Sequence, residues 1–178
     1  MKALLLTFFV LFATSLSLIA SEYQGHQAWT IKSLSQQQID GYLSAKGMGL
    51  AKAAELNSYP GPKHVLELSK ELDLSKKQIA QTNKLYKRMK QEAIKYGKLV
   101  VENEKKIDLL FATKQVNEHN LSRILNTSAK LKAELRGVHL KIHIKQRKLL
   151  TPHQIERYNQ LRGYTNQGAR HTNHHNQH

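Results

Sequence analysis

The stretch Leu74-Ser75-Lys76-Lys77-Gln78-Ile79 is a complete start signal for an α-helix, and its pattern recurs at residues 34–39 and 150–155. The Ser75 hydroxyl can accept a hydrogen bond from the backbone N–H of Gln78, whose side chain can reach back to the N–H of Ser75. The apolar residues at the two ends of the pattern can touch and fix the direction in which the chain enters the helix. The sequence therefore predicts three helix starts, with structural caps at Ser35 and Gln38, Ser75 and Gln78, and Thr151 and Gln154.

Residues at sevenfold spacing follow the second start and predict two long helices. The first helix carries the series Ile79, Tyr86, Ala93, Val100, Ile107 and the series Thr82, Met89, Tyr96, Asn103, Leu110. After a break at residues 112–117, the second carries Leu121, Ser128, Leu135, Ile142, Leu149 and Ile124, Leu131, Val138, Lys145. A sustained sevenfold repeat is typical of the interface between coiled-coil helices. Because the break between the two helices is short, they should pack as antiparallel neighbours.

Shorter helices are predicted on both sides of this hairpin. One runs from residue 35 to about residue 56 and ends at the turn cluster 57–62, and an amphipathic helix carries Val65, Leu66, Leu68 and Leu72. A last helix follows Pro152 and reaches about residue 162. We expect an all-α fold, a long antiparallel helical hairpin with short flanking helices. The sevenfold series form two narrow apolar stripes, which bury little apolar area for the length of the hairpin. We therefore also expect a second copy of the chain to cover part of the hairpin, in a homodimer.

The ends of the chain differ in composition from its centre. Residues 1–20 combine Lys2 with an apolar run and predict a signal peptide for export, with an N-terminal membrane anchor as the alternative. Residues 21–33 are interpreted as a flexible lead-in, 34–163 as the helical domain, and 164–178 as a disordered tail rich in His and Asn. Either interpretation of the first segment places the domain outside the cytoplasm.

The composition restricts the classes of function. There are no cysteines, so disulfides, thiolate metal sites and cysteine nucleophiles are excluded. The formal net charge of +15 predicts an anionic partner, and behind an export signal this indicates acidic proteins, anionic lipids or lipopolysaccharide rather than nucleic acid. No catalytic motif is present, and the three aspartates, Asp40, Asp73 and Asp108, are scattered singly, so we expect no enzyme and no required cofactor.

Histidines are the candidates for metal chemistry in this sequence. His139 and His143 are four residues apart on the second long helix, so both imidazoles share a face and could bind a transition metal ion. The alternative is a pair of exposed histidines on a basic helix. His64, three residues before Glu67, is a second metal candidate, and the tail histidines are a third.

Basic and aromatic residues on the long helices could form an adhesive surface for unfolded proteins, since Lys and Arg stems cover apolar side chains and present charge at their ends. The alternative is a solvated face that keeps the protein soluble. The candidate client-binding residues are Tyr86, Met89, Tyr96, Lys130, Arg136, Lys141 and Lys145.

The repeated Leu-[Ser/Thr]-x-x-Gln motif, with one copy before the hairpin and one after it, resembles the LTxxQ-motif family of Spy/CpxP periplasmic stress proteins. The resemblance covers roughly residues 34–163, and residues 41–68 resemble the corresponding part of one subgroup of that family. It implies a cradle-shaped dimer that binds unfolded or misfolded envelope proteins without ATP, as a chaperone of the envelope stress response. Related members are periplasmic heavy-metal sensors for nickel, cobalt, copper or zinc, which is the alternative function, with a sensor kinase or an efflux regulator as the expected partner.

Overall fold

The computed structural model describes residues 22–164, and the regular structure in this range is entirely helical. A 3-10 turn at His26–Ala28 precedes six α-helices: α1 Gln36–Leu43, α2 Lys52–Glu55, α3 Pro62–Glu67, α4 Lys76–Ala112, α5 Glu118–Arg147 and α6 Pro152–Leu161. The all-α prediction is thereby confirmed. The predicted signal peptide and all but the first residue of the predicted tail lie outside the described residues.

Helices α4 and α5 form the predicted antiparallel hairpin. The Gln146 amide donates to Thr82 Oγ1 at 3.1 Å at one end, and the Ser128 hydroxyl donates to Glu104 Oε1 at 3.2 Å towards the other. The core between the helices is made by buried residues of the predicted stripes: Met89, Ala93, Val100, Leu135, Val138 and Ile142.

The stripe prediction is wrong at its last position. Lys145 is exposed, and its neighbour Gln146 is fully buried instead. A straight α-helix drifts by roughly 20° per heptad relative to a strict sevenfold repeat. After three heptads from Ile124 this drift has carried position 145 out of the interface and brought position 146 into it.

All three predicted capping boxes form. Ser35, Ser75 and Thr151 each accept a hydrogen bond from the backbone N–H three residues on, and each receives the reciprocal bond from the Gln side chain. A fourth box, between Asn117 and Asn120, begins α5. Sequence analysis missed it because asparagine stands at both positions.

Two of these boxes meet in space and join α4 to α6. The Gln78 side-chain amide donates to Gln154 Oε1 at 2.8 Å and to the Leu149 carbonyl at 2.9 Å. The Gln154 amide donates to the Leu72 carbonyl at 3.1 Å. Around them lies a base cluster of buried residues: Val65, Leu72, Leu74, Leu150, Ile155 and Tyr158.

The single helix predicted for residues 35–56 is wrong, because a turn at residues 44–51 separates α1 from α2. Ala45, Met48 and Gly49 in this turn have φ angles of +58°, +42° and +77°, which no right-handed helix contains. The Met48 side chain occupies the space that a Cβ atom at Gly41 would need. The turn therefore folds back onto α1 instead of extending it.

The last residues of the predicted lead-in pack against α4. Ile31 is 2% exposed and lies with Leu34 against Val101. The Ser33 hydroxyl donates to Glu104 Oε2 at 3.0 Å, and so the chain before α1 is attached to the middle of the hairpin. Within residues 22–164, no helix combines the length and the apolar character that crossing a membrane requires.

Candidate functional site

A cavity of about 680 Å³ lies between the hairpin and the chain segment that packs across it, and we name it the histidine cavity. One side is the hairpin, with Met89 on α4 and His139 and His143 on α5. The other side is formed by residues 44–64, from the turn after α1 to the start of α3, and Tyr164 completes the lining.

His139 is the least exposed polar side chain in the lining of this cavity. It is 3% exposed, and its Nε2 atom has no hydrogen-bond partner. Burial lowers the pKa of His139, and the nearby charge of His143 lowers it further, so the ring is neutral at pH 7. A neutral imidazole in this position can accept or donate one hydrogen bond to a bound molecule.

His143 lies one turn further along α5 and faces the same cavity. Its Nδ1 atom is 2.7 Å from the Tyr59 carbonyl oxygen, which can only accept, so Nδ1 carries the proton. The alternative of two exposed histidines is wrong, since both rings are buried. Tyr59, in the segment that covers them, is 84 residues away from His143 in sequence, which the four-residue spacing could not indicate.

His64 lines the cavity at its edge, where it is paired with Glu67. The distance from His64 Nδ1 to Glu67 Oε2 is 2.7 Å, and this hydrogen bond holds the pKa of Glu67 below its usual value. The structure thus brings all three candidate metal-binding histidines of residues 22–164 to one cavity. Among those residues, however, no group of three or more His, Asp or Glu side chains is placed to hold a metal ion.

The rim of the cavity is positively charged. Four lysines line it: Lys46, Lys52, Lys63 and Lys90. Lys63 forms an ion pair with Glu67 at 3.4 Å, whereas the other three form no ion pair with any residue in 22–164. The cavity therefore has an excess of cationic groups.

Glu55 is the one carboxylate in the lining. The Tyr158 hydroxyl donates a hydrogen bond to Glu55 Oε1, the Tyr164 hydroxyl lies 3.4 Å from the same oxygen, and Glu55 Oε2 is 3.6 Å from His143 Nδ1. Burial raises the pKa of Tyr158, and the bond to Glu55 raises it further. Sequence analysis missed Glu55, because nothing in its short helix marks it as a residue that contacts α6.

The predicted client-binding residues divide between two places. Tyr86 and Met89 line the histidine cavity, and Tyr96 packs against the hairpin core. Four basic residues lie exposed on α5: Lys130, Arg136, Lys141 and Lys145.

Three large apolar residues that the sequence did not single out are exposed near the end of the hairpin, where α4 ends and α5 begins. Leu109 is 60% exposed, Phe111 55% and Leu125 49%, and we name these three residues the tip surface. The sevenfold series predicted that neighbouring residues in this region are buried. They predicted nothing about the exposure of these three residues.

Comparison with protein-family models, with curated proteins and with solved structures finds no match to this chain. The function therefore has to be inferred from the cavity, the basic faces and the exposed apolar residues of the molecule itself.

Proposed function

We propose that the protein is an ATP-independent periplasmic chaperone of the envelope stress response, which binds unfolded or misfolded envelope proteins as a cradle-like homodimer. The observation that carries this proposal is the tip surface, whose large apolar side chains are exposed on helices that also carry the exposed basic residues Lys105, Lys106 and Arg123. The resemblance of the capping motifs to the LTxxQ family supports the same function.

The physical basis is a combination of weak attractions. An unfolded chain exposes apolar groups, which gain free energy when they leave water against Leu109 and Phe111. The net charge of +15 accelerates encounters with acidic clients over a range set by ionic strength. Binding through a few exposed side chains is weak enough to be reversed without a nucleotide.

The proposal is tested by light scattering with a reduced, aggregating protein. We expect equimolar wild-type protein to suppress aggregation and the double variant Leu109→Ser/Phe111→Ser to lose most of this suppression. The matched control is Leu43→Ser/Leu161→Ser, which removes two exposed leucines from other parts of the molecule. Equal loss in both variants, or no suppression by the wild type, would contradict the proposal.

A second candidate function is binding of a transition metal ion, as a heavy-metal sensor that acts on a sensor kinase or an efflux regulator. It is favoured by the buried pair His139 and His143, with His64 at the edge of the same cavity. The four rim lysines and the lack of a three-residue ligand group among residues 22–164 weigh against it.

Calorimetry with copper, zinc and nickel tests this second function. If it is correct, the double variant His139→Ala/His143→Ala abolishes a micromolar site that the control His119→Ala/His153→Ala retains, since both control residues are exposed. Metal binding that is unaffected by the first variant would assign it to other histidines.

A further inference from the structure

We propose that the histidine cavity binds a small amphipathic anion, an apolar chain of about eight to twelve carbons that ends in a carboxylate, as in a medium-chain fatty acid. This goes beyond the chaperone function, because the cavity and the tip surface are different places. Met89 and Leu109 are twenty residues apart on α4, which corresponds to about 30 Å along the helix.

The size and the lining of the cavity suit an apolar chain. A volume of about 680 Å³ is in the range of cavities that bind small organic molecules. Met48 and Leu56 line it and are 42% and 52% exposed, so their side chains face open space that an acyl chain could fill. Tyr86 and Tyr164 add aromatic surface.

The lining of the cavity includes a buried polar group without a partner. His139 is 3% exposed, and its Nε2 atom makes no hydrogen bond. A buried nitrogen without a hydrogen bond is unfavourable for folding, and a leucine at this position would avoid the penalty. A bound molecule that offers a hydrogen bond to this atom would supply the missing partner.

The charged groups that line the cavity favour an anionic ligand. Lys46, Lys52 and Lys90 line the cavity without an ion-pair partner in residues 22–164. The lining carries four ammonium groups against the single carboxylate of Glu55, which also accepts a hydrogen bond from Tyr158. A carboxylate on the ligand would therefore meet a lining with net positive charge, whereas a cationic ligand would be repelled.

Calorimetry of the purified protein with decanoate, decanol and decylammonium, in buffer that contains a chelator, tests the proposal. We expect one decanoate per chain, bound at least about tenfold more tightly than decanol, and no binding of decylammonium. Equal affinity for decanoate and decanol, a requirement for added metal, or no binding of decanoate would overturn it.

Variants separate this site from general attraction to a basic protein. Lys52→Glu/Lys90→Glu should weaken decanoate binding by at least about tenfold, while Lys105→Glu/Lys106→Glu, with the same change of net charge, should alter it less than about twofold. His139→Leu should also weaken binding, in protein whose circular dichroism shows an unchanged fold. Equal effects of the two lysine pairs, or full binding by His139→Leu, would overturn the assignment.

Discussion

At the residue scale, the three capping glutamines have unequal roles although their motifs look alike. Gln38 closes only its own box at the start of α1 and is exposed. Gln154 closes its box with Thr151, and its amide also donates to the Leu72 carbonyl and exchanges hydrogen bonds with Gln78. The same sequence pattern thus produces a local cap in one place and a joint between helices in another.

We therefore expect Gln154→Ala to lower the free energy of unfolding by about 2–3 kcal/mol, since buried carbonyl and amide groups lose their partner. The matched variant Gln38→Ala should cost about 1 kcal/mol or less. Urea denaturation of both variants measures the difference. Equal losses would mean that the contacts between the boxes contribute nothing to stability.

Thr151→Ala removes the third cap and leaves the cavity untouched. It should lower the free energy of unfolding by about 1 kcal/mol, with Thr151→Ser close to wild type because serine keeps the accepting hydroxyl. Urea denaturation checks the loss. A Thr151→Ala variant that folds normally but no longer binds a client or a metal would show that the motif itself contacts a ligand.

His139 gives a prediction on pH dependence. Its pKa in the folded protein is lowered by burial and then by His143, so between the folded value and about 6.5 only the unfolded chain takes up the proton. Stability from this group is therefore complete above pH 6.5 and falls as the pH decreases, by at most about 1.4 kcal/mol per pH unit. His139→Leu should flatten this slope in urea denaturation at pH 7.5 and 5.5, while His153→Leu, at an exposed position, should leave it unchanged.

At the scale of elements, α4 and α5 each contain one glycine, and the structure gives the two glycines opposite roles. At Gly97, the carbonyl oxygen of Tyr42 in α1 occupies the space that a Cβ atom would need. At Gly137, the nearest atoms to such a Cβ belong to the flexible Lys141 side chain, 3.8 Å away. Gly97 thus allows α1 to cross α4 at close range, whereas Gly137 only weakens its own helix.

Alanine substitution should separate these roles. Gly97→Ala should lower the free energy of unfolding by about 2–4 kcal/mol, because backbone must move to admit the methyl group. Gly137→Ala should raise it by about 0.5–1 kcal/mol through helix propensity alone. Thermal and urea denaturation of the two variants measure both signs, and stabilisation by Gly97→Ala would contradict the close crossing.

At the scale of the whole molecule, Glu104 connects three parts of the chain. It accepts hydrogen bonds from Ser33 before α1 and Ser128 on α5, and its Oε1 atom is 2.7 Å from Lys132 Nζ. Burial opposes ionisation of this carboxyl, but the bonds from these three residues outweigh burial and lower its pKa. The carboxylate therefore contributes stability that is complete above pH 4.5 and is lost as the pH falls through its folded pKa.

Glu104→Gln should lower the free energy of unfolding by about 1.5–3 kcal/mol at pH 7, because hydrogen bonds to a charged acceptor become neutral. It should also reduce the loss of stability between pH 5 and 3. Glu102→Gln is the control, since Glu102 is exposed and forms no ion pair with residues 22–164. If Glu104→Gln loses as much stability as the wild type between pH 5 and 3, other carboxylates control the response to acid.

The sequence by itself determined the features that depend on near neighbours. A capping box joins residues three apart and a stripe joins residues seven apart, so the starts at Ser35, Ser75 and Thr151 and the hairpin of α4 and α5 could be predicted. The same local rules failed at residues 44–51, where the left-handed backbone of Ala45 and Met48 depends on contact with α1.

Only the tertiary structure decided the candidate site. The spacing of His139 and His143 indicated a shared face, but their burial depends on a segment distant in sequence, through contacts such as that of His143 with the Tyr59 carbonyl, 84 residues away. The rim lysines come from that segment and from α4, and no local pattern relates them to the histidines. Local hydrogen bonds and helical periodicity depend on residues that are close together in the sequence. The shape and charge of a cavity arise only when distant segments pack together.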